Sequence, residues 1–246
     1  GHLSGKWAKA FRSRAALAVS FAVWISAACG SPEVKGFRRV VMHDDVDAHA
    51  SSSEPDEFAL LAIHAPEGWQ KTPIVLHAPV GLPPDVMGGI EKAAKTWNDA
   101  IGFELLQFGE SVLGDYQGDL FGRLDLPENL LAFESHWCRT GKPPQALATT
   151  IWDYAGSDSN KISRGDIVFN STYYRITDAL TAKDDGGRTI VDAETLALHE
   201  LGHLLGLTHV AFVDFPDSIM TPALYIGEGL ANRRIAPSDV DRVRYI

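Results

Sequence analysis

Three histidines and one glutamate set the chemistry open to this chain. Residues 199–209 read His-Glu-Leu-Gly-His-Leu-Leu-Gly-Leu-Thr-His. His199 and His203 are four apart, so on a helix both imidazoles leave one face within reach of a single ion. Gly206 permits the sharp turn that brings His209 back as a third ligand. Imidazole nitrogens suit zinc, and three neutral protein ligands leave the fourth tetrahedral position to water, the arrangement of a catalytic rather than a structural site. Glu200 stands beside the first ligand and is not needed for coordination. Its role is then to take a proton from the zinc-bound water and pass it to the leaving group. The bland alternative, histidines that hold no metal, requires all the fixed positions of this pattern to match by chance.

The elements that must position these residues are partly legible. Asp192 reads as the N-cap of a helix carrying Leu196, His199, Leu201, His203 and Leu204, which Gly206 ends in the left-handed conformation. Upstream, Ile74 to His77 reads as a first strand. Pro83-Pro84-Asp85 opens a helix with Asp85 as N-cap, an apolar stripe at Val86, Ile90, Ala93, Ala94, Trp97 and Ile101, and Gly102 as its close. Phe103 to Phe108 reads as the next strand. Residues 109–161 are rich in Gly, Asp and Pro and resist assignment, apart from a strand at Leu147 to Trp152; a further strand follows at Asp166 to Asn170. Pro237 to Ile246 reads as a terminal helix with its stripe at Val240, Val243 and Ile246. Strands first and helices at the end give an α+β fold.

The histidine pattern with a downstream methionine, in Ser218-Ile219-Met220-Thr221-Pro222, resembles the signature of the metzincin metalloproteases, and Pro222 points to their matrixin branch. The resemblance implies a twisted mixed sheet with an active-site helix and a C-terminal helix over 58–246, zinc as cofactor, and hydrolysis of peptide bonds. It implies that Met220 is a structural floor beneath the zinc ligands, and that Asp166, Ile167, Val168, Phe169 and Asn170 form the edge strand that pairs with extended substrate. Pro222, Ala223, Leu224 and Tyr225 would wall the specificity pocket, and small Thr195 would leave that pocket open. The chain departs from the matrixin pattern in a longer gap between His209 and Met220, in Val210 after the third histidine, and in having no cysteine-containing pro-peptide motif.

Composition narrows the partners. The chain has 246 residues, with 22 Lys and Arg against 32 Asp and Glu, and a formal net charge of −10. Such a surface repels phosphate backbones, which excludes nucleic acid as a natural partner. Lys6, Lys9, Arg12 and Arg14 precede an apolar run from Ala15 to Ile25, too short for the ~20 residues that span a bilayer. Ser26-Ala27-Ala28 then leads to Cys29. We read 1–28 as a signal peptide of lipoprotein type, with Cys29 as the lipidated residue, or else as a plain secretory signal. The protein is then exported, held to a membrane only through a lipid anchor. Residues 29–57, rich in Ser, Asp and Glu, read as a disordered acidic tether or short pro-segment. The expected partner is a protein or peptide substrate, acted on by a monomer.

Weaker features have two readings each. Asp184-Asp185-Gly186-Gly187, with Asp178 nearby, could be a calcium loop or a solvated acidic turn. The group from His43 to His49 could shield the site in a precursor or belong to the tether. Cys138 could lend a thiolate to the zinc, or be a buried cysteine. Two other functions compete with the endopeptidase: a zinc-binding module without turnover, and a zinc amidase acting on a non-protein substrate. Retention of Glu200 argues against the first.

Overall fold

The computed structural model describes residues 38–41, 62–114, 129–155 and 161–246. The signal, Cys29, the group from His43 to His49 and most of the acidic tether lie outside the described residues. Among those described, no helix is long and apolar enough to cross a membrane.

The fold is α+β. Its strands are β1 (Arg38–Val41), β2 (Ile74–Leu76), β3 (Leu106–Phe108), β4 (Leu131–Glu134), β5 (Ala148–Tyr154), β6 (Ile162–Asn170), β7 (Tyr174–Thr177), β8 (Thr189–Asp192) and β9 (Ala223–Ile226). Its helices are α1 (Pro84–Ile101), α2 (Ala193–Leu204) and α3 (Pro237–Tyr245). β3 pairs in parallel with β2, and a bridge from His77 to Leu130 joins β2 to β4. β4 runs parallel to β6, and β5 closes the sheet antiparallel to β6, giving the order β3-β2-β4-β6-β5. A parallel pair β7·β8 leads into α2, and β1 lies antiparallel to β9.

Alternation along the strands covers both sheet faces. Leu131, Phe133, Ile167 and Phe169 join Trp97, Leu196 and Leu201 in the main core beneath α1 and α2. Leu130, Ala132 and Val168 face the other way, onto Trp137 and Ala146. This corrects the expectation that Asp166–Asn170 is an edge. The segment belongs to β6, which is paired on both sides. Its unbroken Ile-Val-Phe run is what a strand buried on two faces requires. The outer strand is β5.

Two further boundaries differ from expectation. Pro83, not Asp85, occupies the N-cap of α1. The Asp85 carboxylate instead accepts from Thr177 Oγ1 and from the Asp178 amide, tying α1 to the end of β7. β3 starts only at Leu106, because Asn98 of α1 intercepts its approach: Asn98 Oδ1 accepts from the amides of Leu105 and Leu106 at 3.0 and 2.9 Å. Phe103 is left largely exposed.

Candidate metal centre

The metal helix α2 begins as the sequence suggests. Asp192 caps it, with Oδ2 accepting from the Thr195 amide at 3.0 Å. Gly206 turns the chain after the helix with φ of 107°, a value open to glycine and costly for other residues. His64 and two indoles then donate to carbonyls of the last helical turn, adding to the Gly206 amide on His203 O. His64 Nε2 and Trp152 Nε1 donate to His203 O at 3.0 and 3.1 Å, and Trp69 Nε1 donates to Leu204 O at 2.8 Å. Trp97 Nε1 donates to Leu198 O within the same helix. The His64 ring lies tilted against Trp152 with centroids 4.1 Å apart. Burial, which outweighs the raising effect of the hydrogen bond to His203 O and is joined by the nearby His203 ring, lowers its pKa to about 4. The donation by these four rings to α2 carbonyls was not expected from the sequence. A ring N–H in need of an acceptor is the signal, but nothing local names the acceptor.

The three histidines converge. Their Nε2 atoms stand 2.9 Å (199–203), 3.1 Å (199–209) and 3.2 Å (203–209) apart. His199 and His203 are buried and His209 is half-buried, so solvent reaches the group from the His209 side. His199 Nδ1 bonds Ile219 O at 2.7 Å and His203 Nδ1 bonds Leu207 O at 2.8 Å. A carbonyl only accepts, so each Nδ1 carries its proton and donates. Burial, with the neighbouring His203 and His209 rings, holds the His199 pKa well below its ordinary value, so its imidazole is neutral and its Nε2 carries a lone pair. Lone pairs pointed at one another at these distances repel unless a cation lies between them. Tetrahedral zinc with bonds of ~2.0–2.1 Å spaces its ligand nitrogens ~3.3 Å apart, which the observed triangle nearly matches. The donor set fits zinc, and the carbonyl partners fix the tautomer a ligand needs. Among the described residues it is the only cluster of three or more His, Cys, Asp or Glu side chains close enough to share an ion.

The chain matches the family model described as Matrixin over residues 44–246. It belongs to the matrixins. Comparison with curated proteins finds no match. Membership makes the chain one of a family of zinc-dependent peptidases, and the histidine triangle is where this matrixin can hold its zinc.

The other residues expected at the site are placed as follows. Glu200 is buried, and Thr150 Oγ1 donates to its Oε2 at 2.7 Å. Met220 is buried against Gly202 of α2, so closely that a Cβ on Gly202 would collide with Met220 Sδ. The turn around it is clamped: Val210 N donates to Met220 O, Ser218 Oγ to Asp239 Oδ1, and Ile219 N to Asp239 Oδ2. Arg242 in turn bonds Asp239 Oδ1 at 2.6 Å. Ala223 and Leu224 of β9 are buried, Pro222 is half-buried and Tyr225 is exposed.

Two expectations, on Thr195 and Cys138, need correction, and the open reading of the acidic turn is narrowed. Thr195 does not border open space: it is buried, its Oγ1 donates to Asp192 Oδ2 at 2.7 Å and accepts from Asn232 N at 2.8 Å. Arg233 explains the closure. Its guanidinium bonds Asp178 and Asp192 and lies 3.4 Å from Glu194, drawing the chain after β9 onto the start of α2. The acidic turn does not gather its carboxylates either. Asp178 is on Arg233, Asp185 is on Arg175, and Asp184 Oδ1 accepts from Gly186 N. Cys138 is exposed on the 3-10 turn Trp137–Thr140 and stands outside the histidine cluster.

Proposed function

We propose that this matrixin is an exported endopeptidase in which Glu200 is the general base. The observation that carries this reading is a buried glutamate, adjacent in sequence to a metal ligand and oriented by Thr150 from the outer strand. His199, His203 and His209 would hold the zinc, which when bound supplies Lewis-acid polarisation of the scissile carbonyl and acidifies a coordinated water. The Glu200 carboxylate, held by Thr150 through Oε2, receives a proton from the attacking water and returns it to the leaving amine. β5 has no strand partner on its outer side among the described residues, and both Thr150 and Trp152 reach from it to α2. An extended peptide paired along that edge would lie against the metal helix, with its main chain recognised and its side chains free. The basic and apolar leader ending at Cys29 supports export with a lipid anchor.

The test uses the full chain, with casein as substrate. Cleavage should be abolished by chelator, restored by zinc, and lost in Glu200→Ala with zinc content unchanged. Equal cleavage by wild type and Glu200→Ala overturns the mechanism, and metal-replete protein without zinc overturns the site. Intact mass of membrane-extracted protein should show acylated Cys29; a soluble unmodified product rejects the anchor.

A further inference from the structure

The stretch between the third histidine and Met220 is longer than the family pattern, and its surface is unusual. Residues 211–217 are all exposed, while 218–220 are all buried. Within that loop Phe212, Val213 and Phe215 are 42%, 86% and 38% exposed, three large apolar side chains in four positions. Scattered single apolar residues on a surface need no explanation, but a contiguous group does. The loop is also fixed rather than slack. Asp214 N and Phe215 N both donate to Ala211 O, Ser218 N donates to Phe215 O, and the base is closed by Val210 N to Met220 O. Arg242 of α3 lies 6.0 Å from the Phe215 ring centroid. Both ends are tied to the metal centre: His209 is two residues before Ala211, and Ile219 O orients His199. The loop therefore begins and ends beside residues of the histidine cluster.

Charge selects the occupant. Asp214 and Asp217 are exposed in the same loop, from Leu205 to Asn232 the sequence carries no Lys or Arg, and Arg242 beside Phe215 is buried and paired with Asp239. Loops that enter a membrane surface pair apolar residues with basic ones to meet anionic headgroups, the reverse of this pattern. A polypeptide bearing apolar side chains next to Lys or Arg is complementary on both counts. We propose that residues 211–217 are an accessory docking surface for the substrate chain, selecting segments in which Leu, Phe or similar side chains adjoin basic ones. This rests on the peptidase reading and names the class of peptide that site prefers.

Binding without turnover tests it. Zinc-loaded full chain carrying Glu200→Ala is titrated with two labelled dodecapeptides of equal length, one built of Leu, Phe and Lys, the other of Ser, Gly and Asp, and anisotropy is read. The first should bind at least about tenfold more tightly, the scale of one good apolar anchor. Adding Phe212→Ser with Val213→Ser should cut that ratio to about twofold or less. Adding Asp214→Asn with Asp217→Asn should weaken the basic peptide and flatten its salt dependence. Equal binding of the two peptides, or a preference that survives both pairs of substitutions, overturns the proposal. So does co-sedimentation with phosphatidylglycerol vesicles that requires Phe212 and Val213, which would assign the loop to a membrane. Casein cleavage by the wild type, read separately, reports on the peptidase reading, so the two can fail independently.

Discussion

Thr150 Oγ1 donates to Glu200 Oε2 at 2.7 Å, joining the outer strand to the metal helix across 50 residues of sequence. A hydrogen bond to a charged group is worth about 1.5–3 kcal/mol, and its loss leaves a buried carboxylate less well held. Thr150→Val should lower kcat by about tenfold or more at unchanged zinc content. Thr150→Ser should restore most of it. Steady-state kinetics with elemental analysis decides this, and a Val variant with wild-type kcat removes Thr150 from the proposed mechanism.

Gly202 admits Met220 where any side chain would intrude. Gly202→Ala forces either the methionine or α2 to shift, at a cost of about 1–3 kcal/mol. Chemical denaturation should show that loss, and zinc titration should show weaker retention, because the displaced turn carries Ile219 O, the partner of His199.

Arg233 governs acid stability. Burial opposes ionisation of Asp192, yet the Arg233 guanidinium and the Thr195 hydroxyl and amide outweigh it, holding the carboxyl below its ordinary range. A depressed carboxyl stabilises the fold at pH above its unfolded value of about 3.9, and that contribution is lost as pH falls through the folded value. Arg233→Gln leaves burial unopposed by the guanidinium. Its acid-unfolding midpoint should therefore move to higher pH than the wild type's, and its stability at neutral pH should fall by about 2 kcal/mol, the scale of a hydrogen bond to a charged group. Circular dichroism across the acid range measures both; coincident acid transitions would contradict the role of Arg233.

Zinc removal should destabilise the fold. A ligand bound only by the native state at a hundred times its dissociation constant adds about 2.7 kcal/mol. Chelator should lower the melting temperature reversibly, and His209→Ala should abolish the difference between treated and untreated protein. A chelator effect that persists in His209→Ala would place the responsible ion elsewhere.

The metal centre was the most legible part of this molecule because its determinants are local. Two ligands one turn apart, a glycine that must turn, and an aspartate at a helix start are each visible within a dozen residues. The periodicity of α1 was legible for the same reason, since a helix buries one stripe of its own sequence. What sequence reading missed depends on partners far along the chain. Trp69 and His64 meet α2 at separations of 135 and 139 residues. The shortening of β3 follows from an asparagine side chain competing for strand amides. The misplaced edge strand has a different cause: a segment covered on both faces shows no alternation, and its apolar run already spoke for the middle of the sheet. Thr195 was judged by its size alone, whereas its surroundings are set by Asn232 and Arg233.

The acceptors that orient His199 and His203 are main-chain carbonyls, Ile219 O and Leu207 O. Many metal sites entrust that task to a carboxylate, which one nucleotide change can erase. Here every residue type offers the same oxygen, so drift at positions 207 and 219 can alter packing without deleting an acceptor. The exposure of this site to mutation is thereby concentrated in the ligands themselves and in changes of chain length between them, where an insertion or deletion would carry both carbonyls out of register at once.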